Sequence, residues 1–298
     1  MPELPDISSY LVALRPRIVG QPLEKILVKG PFFLRTVEPD LISLEGRPVL
    51  DLSRIGKRIV WHFPGDLFLV FHLMIAGRFH WRKAGTRPIG KNDLAAFSFG
   101  SGTVLLTEAS KKKRASLHLL RGKAVLRTLN RGGLEPLDCS LAEFRRALMQ
   151  ENHTLKRALA DPRLFAGIGN AYSDEILHAA GLSPVTLTRR LDEPEIARLY
   201  DSTQSVLRLW TERLCLSAAD EFPEKVTAFR PGMAVHGRYR QPCPACGTLV
   251  QRIVYAENET NYCPRCQTGG KLLADRSLSR LLKDDWPRTI DDWEEGRS

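Results

Sequence analysis

Removing Met1 from the opening Met1-Pro2-Glu3-Leu4-Pro5-Asp6 leaves a proline whose nitrogen is a free secondary amine, with the Glu3 carboxyl beside it. An α-amino group titrates near ~8 without help, so it is a usable nucleophile where a lysine must first be desolvated. Attack on a sugar aldehyde, or on a glycosidic carbon, gives an iminium that is cationic of necessity, because the nitrogen has no second proton to lose. Such a cation is an electron sink. Chains also begin Met-Pro for no catalytic reason, so the pair alone leaves both readings open.

A second cluster lies near the other end. Cys243-Pro-Ala-Cys246 and Cys263-Pro-Arg-Cys266, with sixteen residues between the pairs, have the spacing of a four-thiolate zinc site on two β-hairpin knuckles. Four thiolates leave no open coordination position, so one structural Zn2+ is expected and not a Lewis acid. A disulfide framework fits poorly with a chain read as intracellular. Cys139 and Cys215 stand apart and read as plain buried or partly buried thiols. Arg238, Arg240, Arg252 and Arg265 surround the module and suit a phosphate backbone, although solvated surface charge explains them equally.

The rest of the chain must position these groups. With 298 residues, 43% of them hydrophobic and 26% charged, it can bury a sizeable core and predicts more than one domain. A net charge of +10 and a pI near 9.5 favour a polyanionic partner, and nucleic acid leads because no basic amphipathic helix or bilayer-length apolar run is visible. Glu3 and Asp6 and the lack of an apolar leader core argue against a secretory signal, so a cytoplasmic, nucleoid-associated protein is expected, with no membrane partner.

Short apolar or alternating runs at 25–28, 58–63, 67–72, 78–81, 95–99 and 104–107, punctuated by Gly and Pro, predict an antiparallel β-sandwich. A helix at 7–19 precedes them. Beyond Arg131-Gly132-Gly133 the spacing turns helical, at 141–150, 155–160, 173–180 and 192–214, and the Gly167-Ile168-Gly169-Asn170 turn separates two of these helices. The class is therefore α+β and multidomain: a β-sandwich with flanking helices over 1–130, a helical domain over 131–235, the cysteine module over 236–270 and an acidic tail over 271–298 carrying Trp286 and Trp293.

In this order, the segments 2–6, Gly56-Lys57-Arg58, 72–79 (His-Leu-Met-Ile-Ala-Gly-Arg-Phe), 133–137 (Gly-Leu-Glu-Pro-Leu), 167–177 (Gly-Ile-Gly-Asn-Ala-Tyr-Ser-Asp-Glu-Ile-Leu) and the cysteine quartet resemble the formamidopyrimidine-DNA glycosylase and endonuclease VIII family across most of the chain. The resemblance implies a bifunctional DNA glycosylase and abasic-site lyase of base excision repair, acting as a monomer on double-stranded DNA that holds a damaged base or an abasic site. Pro2 would be the nucleophile at the anomeric carbon. Glu3 would protonate the opening sugar ring and shuttle protons afterwards. Asp6 would support them, from a position where the family usually has glutamate. Lys57 would contact phosphates near the lesion, beside the catalytic pair. Asn170, with the Gly169 amide, would hold phosphates flanking the flipped nucleotide in a helix-two-turn-helix element; as a helix cap Asn170 would also be unremarkable.

The departures from the family sit in lesion recognition. The slot of the family's void-filling methionine holds Ile75, with Met74 one place early, and a one-residue shift in a strand would send Met74 to the opposite face. The family's aromatic wedge is replaced by Lys111-Lys112-Lys113-Arg114, which could track DNA or simply be solvated. The arginine expected five residues before Cys263 is Asn258. Oxidised purines are thus the first expected substrate, oxidised pyrimidines the second and an unusual bulky lesion the third. The alternative from another class is a non-catalytic damaged-DNA-binding protein on the same scaffold. A zinc-ribbon module of an unrelated RNA or transcription machine would explain the cysteines and charge but not 2–6 or 167–177.

Overall fold

The computed structural model describes residues 1–255, 258–274 and 287–295. It divides into two compact units, Met1–Arg131 with Leu209–Thr227, and Gly132–Arg208 with Ala228–Ser298.

In the first unit, helix α1 (Leu4–Ile18) begins three residues before the apolar spacing suggests. Glu3 is its extended N-cap and Pro5 falls in the first turn, where a missing N–H removes no intrahelical bond. Ile7, Tyr10, Leu14 and Ile18 form the buried stripe.

Two antiparallel sheets follow. One runs β1 (Lys25–Val28), β6 (Asp93–Phe99), β7 (Gly102–Glu108), β5 (Gly77–Arg82); the other runs β2 (Asp51–Ile55), β3 (Arg58–Phe63), β4 (Leu67–His72), β8 (Ser116–Arg121). Six strands match the expected runs. Strands β2 and β8 were not legible from the sequence; they are the two outer strands of their sheet. The inner faces share one core: Trp61 and Phe71 of the second sheet meet Phe79, Phe97 and Phe99 of the first at centroid distances of 5.1 to 5.8 Å. Such ring pairs add about 0.5–1.5 kcal/mol each beyond area burial. A short helix α2 (Lys123–Arg127) closes the unit's first segment.

The second unit is helical, with α3 (Leu141–Leu148), α4 (Leu155–Ala160), α5 (Asn170–Ala179) and most of α6 (Glu193–Asp220). Ser140 and Glu143 close a capping box at the start of α3. Helix α6 runs six residues past its expected end at 214, since Leu-Ser-Ala-Ala continues without a breaker.

The cysteine module begins with a tight turn in which the Gly247 N–H donates to the Cys243 carbonyl and the Cys243 N–H to the Thr248 carbonyl, both at 2.9 Å. The hairpin of β9 (Gln251–Tyr255) and β10 (Asn258–Tyr262) then leads into α7 (Pro264–Thr268), so the second cysteine pair rides on a helical turn and not on a hairpin turn as expected. Of the tail, α8 (Ile290–Glu295) is described; Trp286 lies outside the described residues. Among the described residues no helix is long and apolar enough to cross a membrane.

Candidate active site

Pro2 and Glu3 are both buried, Glu3 to 2% exposure. A carboxylate so buried must be held by its neighbours, and the helix start does this. The Glu3 N–H donates to Asp6 Oδ2 at 2.8 Å, the Glu3 side chain answers toward the Asp6 N–H in a capping box, and the Ile7 N–H donates to the Glu3 carbonyl at 2.9 Å. Asp6 is itself buried, and its carbonyl accepts the Ser9 hydroxyl at 2.8 Å. The side chain one methylene shorter than glutamate thus has a defined local role, since Asp6 is the N3 residue that fixes Glu3.

Lys57 follows Gly56, whose φ of +56° makes the two-residue β2–β3 turn, with Ile55 opposite Arg58. Its charge reaches the amino terminus. Burial, first, pushes the terminal amine, borne here by Met1, below its usual range; Glu3 and Asp6 pull it up, while Arg78 and Lys57 push it down. Glu3 and Asp6 are tied to each other at the helix start beside Pro2, and the charges of Lys57 and, unforeseen, of Arg78 bear on the terminal amine. The only sequence signal for Arg78 was its position inside the 72–79 run.

Met74 does not lie in a strand. Residues 74–76 form a turn with Met74 at φ +52°, so the expected strand alternation does not decide where its side chain points. The turn is closed by the Gly77 N–H to the Leu73 carbonyl at 2.8 Å, and a Cβ on Gly77 would lie 2.2 Å from that oxygen. Met74 is half-buried, and Ile75 is 52% exposed at the apex.

Lys111, Lys112, Lys113 and Arg114 are all exposed on the β7–β8 loop. The loop is stapled at its base by Glu108, only 1% exposed, whose carboxylate accepts the Arg114 N–H at 3.0 Å and the Ala115 N–H at 3.2 Å, while Lys113 Nζ donates to the Glu108 carbonyl.

In the second unit Gly169 is the N-cap of α5 and Asn170 its first residue, so Asn170 is not the cap. Its Nδ2 donates to the Glu259 carbonyl on β10 at 2.9 Å, and its own carbonyl accepts Lys156 Nζ at 2.5 Å. The buried acids that follow serve as anchors. Asp174 accepts Lys156 Nζ at 2.5 Å and pairs with His236 Nδ1 at 2.7 Å, and Glu175 accepts the N–H groups of Ala234, Val235 and His236 at 2.6 to 2.9 Å. Asn258 is exposed at the start of β10, paired with Tyr255.

The four cysteine Sγ atoms lie within 4.8 Å of one another, with Cys243–Cys266 at 3.9 Å and Cys246–Cys263 at 3.4 Å. Tetrahedral Zn–S bonds of about 2.3 Å place sulfurs about 3.8 Å apart, so the quartet fits one structural zinc ion. His178 on α5 faces Cys243 Sγ through Nε2 at 3.2 Å, a partner that a separation of 65 residues hid from sequence reading. Of the four nearby arginines, Arg238 spends its guanidinium on the Met233 and Pro242 carbonyls and Arg265 pairs with Asp291 at 2.9 Å, while Arg240 and Arg252 both lie over the Tyr239 ring, at 5.1 and 4.4 Å.

An antiparallel sandwich headed by a buried Pro-Glu pair, with a helical unit and a four-thiolate zinc module, defines the class of zinc-finger DNA glycosylases. Family models agree: the formamidopyrimidine-DNA glycosylase N-terminal domain matches residues 1–115, its H2TH domain 133–213, and the zinc finger found in FPG and IleRS 240–269. The chain belongs to the formamidopyrimidine-DNA glycosylase family of DNA N-glycosylases and abasic-site lyases. It is 34% identical over 277 residues to the formamidopyrimidine-DNA glycosylase of Heliobacterium modesticaldum, covering 90% of this chain and 100% of that one. It is 41% identical over 152 residues, 51% of this chain and 94% of the relative, to an uncharacterized formamidopyrimidine-DNA glycosylase-like protein of Mycobacterium tuberculosis. Among solved structures, a point mutant of Lactococcus lactis FPG in complex with Fapy-dG-containing DNA superposes with a TM-score of 0.78 at 27% identity, covering 90% of this chain and 100% of that one, and Lactococcus lactis Fpg with abasic-site DNA gives 0.78 at 27%, covering 89% and 99%.

Proposed function

We propose that this chain excises damaged bases, oxidised purines first, from double-stranded DNA and cleaves the resulting abasic site through a Schiff base on Pro2. The observation that carries the reading is the buried Pro2-Glu3 pair at the N-cap of α1, stapled by Asp6. Met1 must be removed, since an acylated Pro2 nitrogen is an amide without nucleophilicity. The neutral Pro2 nitrogen then bonds to C1′ as the base departs carrying the N–H proton, and Glu3 gives a proton to O4′ as the C1′–O4′ bond breaks and the iminium forms. The iminium acidifies C2′, whose proton passes to the Glu3 carboxylate while the C–H electron pair flows into the sugar and expels the 3′ phosphate. Water hydrolyses the iminium and returns the amine.

In the same reading Lys57, Asn170 with the Gly169 amide, Asn258, Met74 and the cations at 111–114 touch DNA. Extruding a nucleotide costs a few kcal/mol of stacking and pairing, which phosphate contacts and duplex bending offset. The protein would act as a monomer in the cytoplasm, associated with the nucleoid, and the four segments 1–130, 131–235, 236–270 and 271–298 would be its functional divisions. Borohydride reduction of processed protein mixed with abasic-site duplex tests the reading: a covalent adduct is expected, lost in Pro2→Gly, and no adduct from Met1-free protein overturns it.

A further inference from the structure

We propose that His178 is a positioning residue for the structural metal: its Nε2–H donates to the Cys243 thiolate and so fastens the four-thiolate site to the last turn of α5.

The cysteine module meets α5 along one stripe. Asn170, Asp174 and His178 recur every fourth residue and therefore share one helix face. Asn170 reaches the Glu259 carbonyl on β10, Asp174 pairs with His236 and accepts Asn261 Nδ2 at 3.5 Å, and His178, one turn further, ends on Cys243 Sγ at 3.2 Å. A second tie leaves the chain just past α5 toward the other cysteine pair. Gln267 Nε2 donates to the Leu182 carbonyl at 2.9 Å, and Gln267 Oε1 accepts the Cys263 N–H at 2.8 Å. Both cysteine pairs are thus anchored at the same end of the helix, the second through a backbone amide and the first through a ligand sulfur.

The roles of the two atoms follow from the ligand chemistry. A cysteine that binds zinc has lost its proton, so its sulfur can only accept a hydrogen bond. The imidazole nitrogen facing it must then carry the hydrogen, which selects the Nε2–H tautomer of His178. His178 is not itself a ligand, since among the described residues the atoms close enough together to hold one ion are the four cysteine sulfurs. Four thiolates around a divalent ion leave the site with a net negative charge. Cys243 is only 2% exposed, so water cannot solvate its share of that charge. Cys263, also buried, is served from within its own turn, where the Cys266 N–H points to its sulfur at 3.5 Å. Cys243 takes its donor from a different element, 65 residues away in the chain. Loss of that N–H leaves a buried anionic sulfur short of a donor and releases the end of α5 from the metal.

The test uses the zinc-loaded full chain and two readouts that need no DNA: zinc affinity by competition with a chromophoric chelator, and the visible spectrum of the cobalt-substituted protein. His178→Phe keeps the ring volume and removes the donor, while His178→Gln returns an amide N–H near the position of Nε2. His178→Phe should lower zinc affinity by about 10–100-fold, the range for outer partners of metal ligands, and His178→Gln should recover most of that loss. The sulfur-to-cobalt charge-transfer band should move to longer wavelength in His178→Phe, because a thiolate without its hydrogen bond is a better electron donor, and should stay in place in His178→Gln. A contact that only fills space would not move the band. An unchanged affinity or an unmoved band in His178→Phe overturns the proposal, as does a His178→Gln protein that behaves like His178→Phe. If His178→Phe does not fold, His178→Leu replaces it, with the same expected loss and shift. Neither readout involves Pro2, so failure of the Schiff-base reading would leave this tie standing.

Discussion

The Asp6 carboxylate accepts the Glu3 N–H at 2.8 Å, so the acid proposed to work on the substrate is also the N-cap of a stapled helix start. Function and local structure share one hydrogen bond. Asp6→Ala removes an N-terminal capping partner worth about 1 kcal/mol, which at this size lowers Tm by ~2–4 °C, and it should reduce trapping more than that stability loss accounts for. Asp6→Asn keeps an acceptor and should preserve the fold. Wild-type trapping by a destabilised Asp6→Ala protein, measured below its Tm, would show that the staple does not serve catalysis.

Glu3→Gln keeps the N-cap acceptor and removes the proton. Base release should fall by orders of magnitude while duplex binding stays within about twofold, as read by a glycosylase assay beside a mobility-shift titration; general acid–base groups contribute about 10²–10⁴-fold. Parallel loss of both would assign Glu3 to folding alone.

Metal analysis should find one zinc per chain. Cys263 is fully buried, so Cys263→Ser should abolish metal retention, unfold the β9–β10 module and weaken DNA binding; a closed thiolate site contributes its binding energy directly to folding. A metal-free protein with unchanged circular dichroism and binding would contradict this.

Glu108→Ala leaves the N–H groups of Arg114 and Ala115 without their acceptor, at a cost of about 1–3 kcal/mol. Loop order should be lost before the sandwich unfolds, visible as new proteolysis at 110–114. Separately, each lysine of 111–113 that touches a phosphate should, on replacement by Ala, reduce the slope of log K against log salt by about 0.9. Unchanged slopes in all three would make the loop a solvated one.

His72 is pressed down to about 4 from a usual 6.5, by burial first and then by Arg58 and Lys57. The folded state therefore holds this ring neutral where the unfolded chain binds a proton, so its contribution to stability is present above about pH 6.5 and is lost as pH falls toward 4. His72→Asn should flatten that part of the stability curve in urea melts at stepped pH. An unaltered slope would show that other groups carry the acid sensitivity.

The cysteine quartet, the Pro-Glu start and six of the eight sandwich strands were readable because each is a local pattern: a spacing of two, an opening dipeptide, an alternation over a few residues. Where reading stopped, the partner was distant or the backbone unusual. Asp6 looked like a weakened copy of a glutamate until its carboxylate was seen on the Glu3 N–H. Met74 was assigned by strand alternation, which a left-handed turn suspends. Arg78 meets Val226, and His178 meets Cys243, across 148 and 65 residues.

The motifs in their order were thus enough to identify, by family resemblance, a basic glycosylase scaffold with a four-thiolate zinc site and a Pro-Glu pair next to the amino-terminal amine, because ligand number, backbone period and residue type are properties of short spacings. Which charges surround that amine, which carboxylate staples which loop and which arginines remain available to a phosphate were decided only by the folded chain. Electrostatic and hydrogen-bond energies depend on distance in space, and that distance bears no relation to separation along the sequence until the sheets have packed.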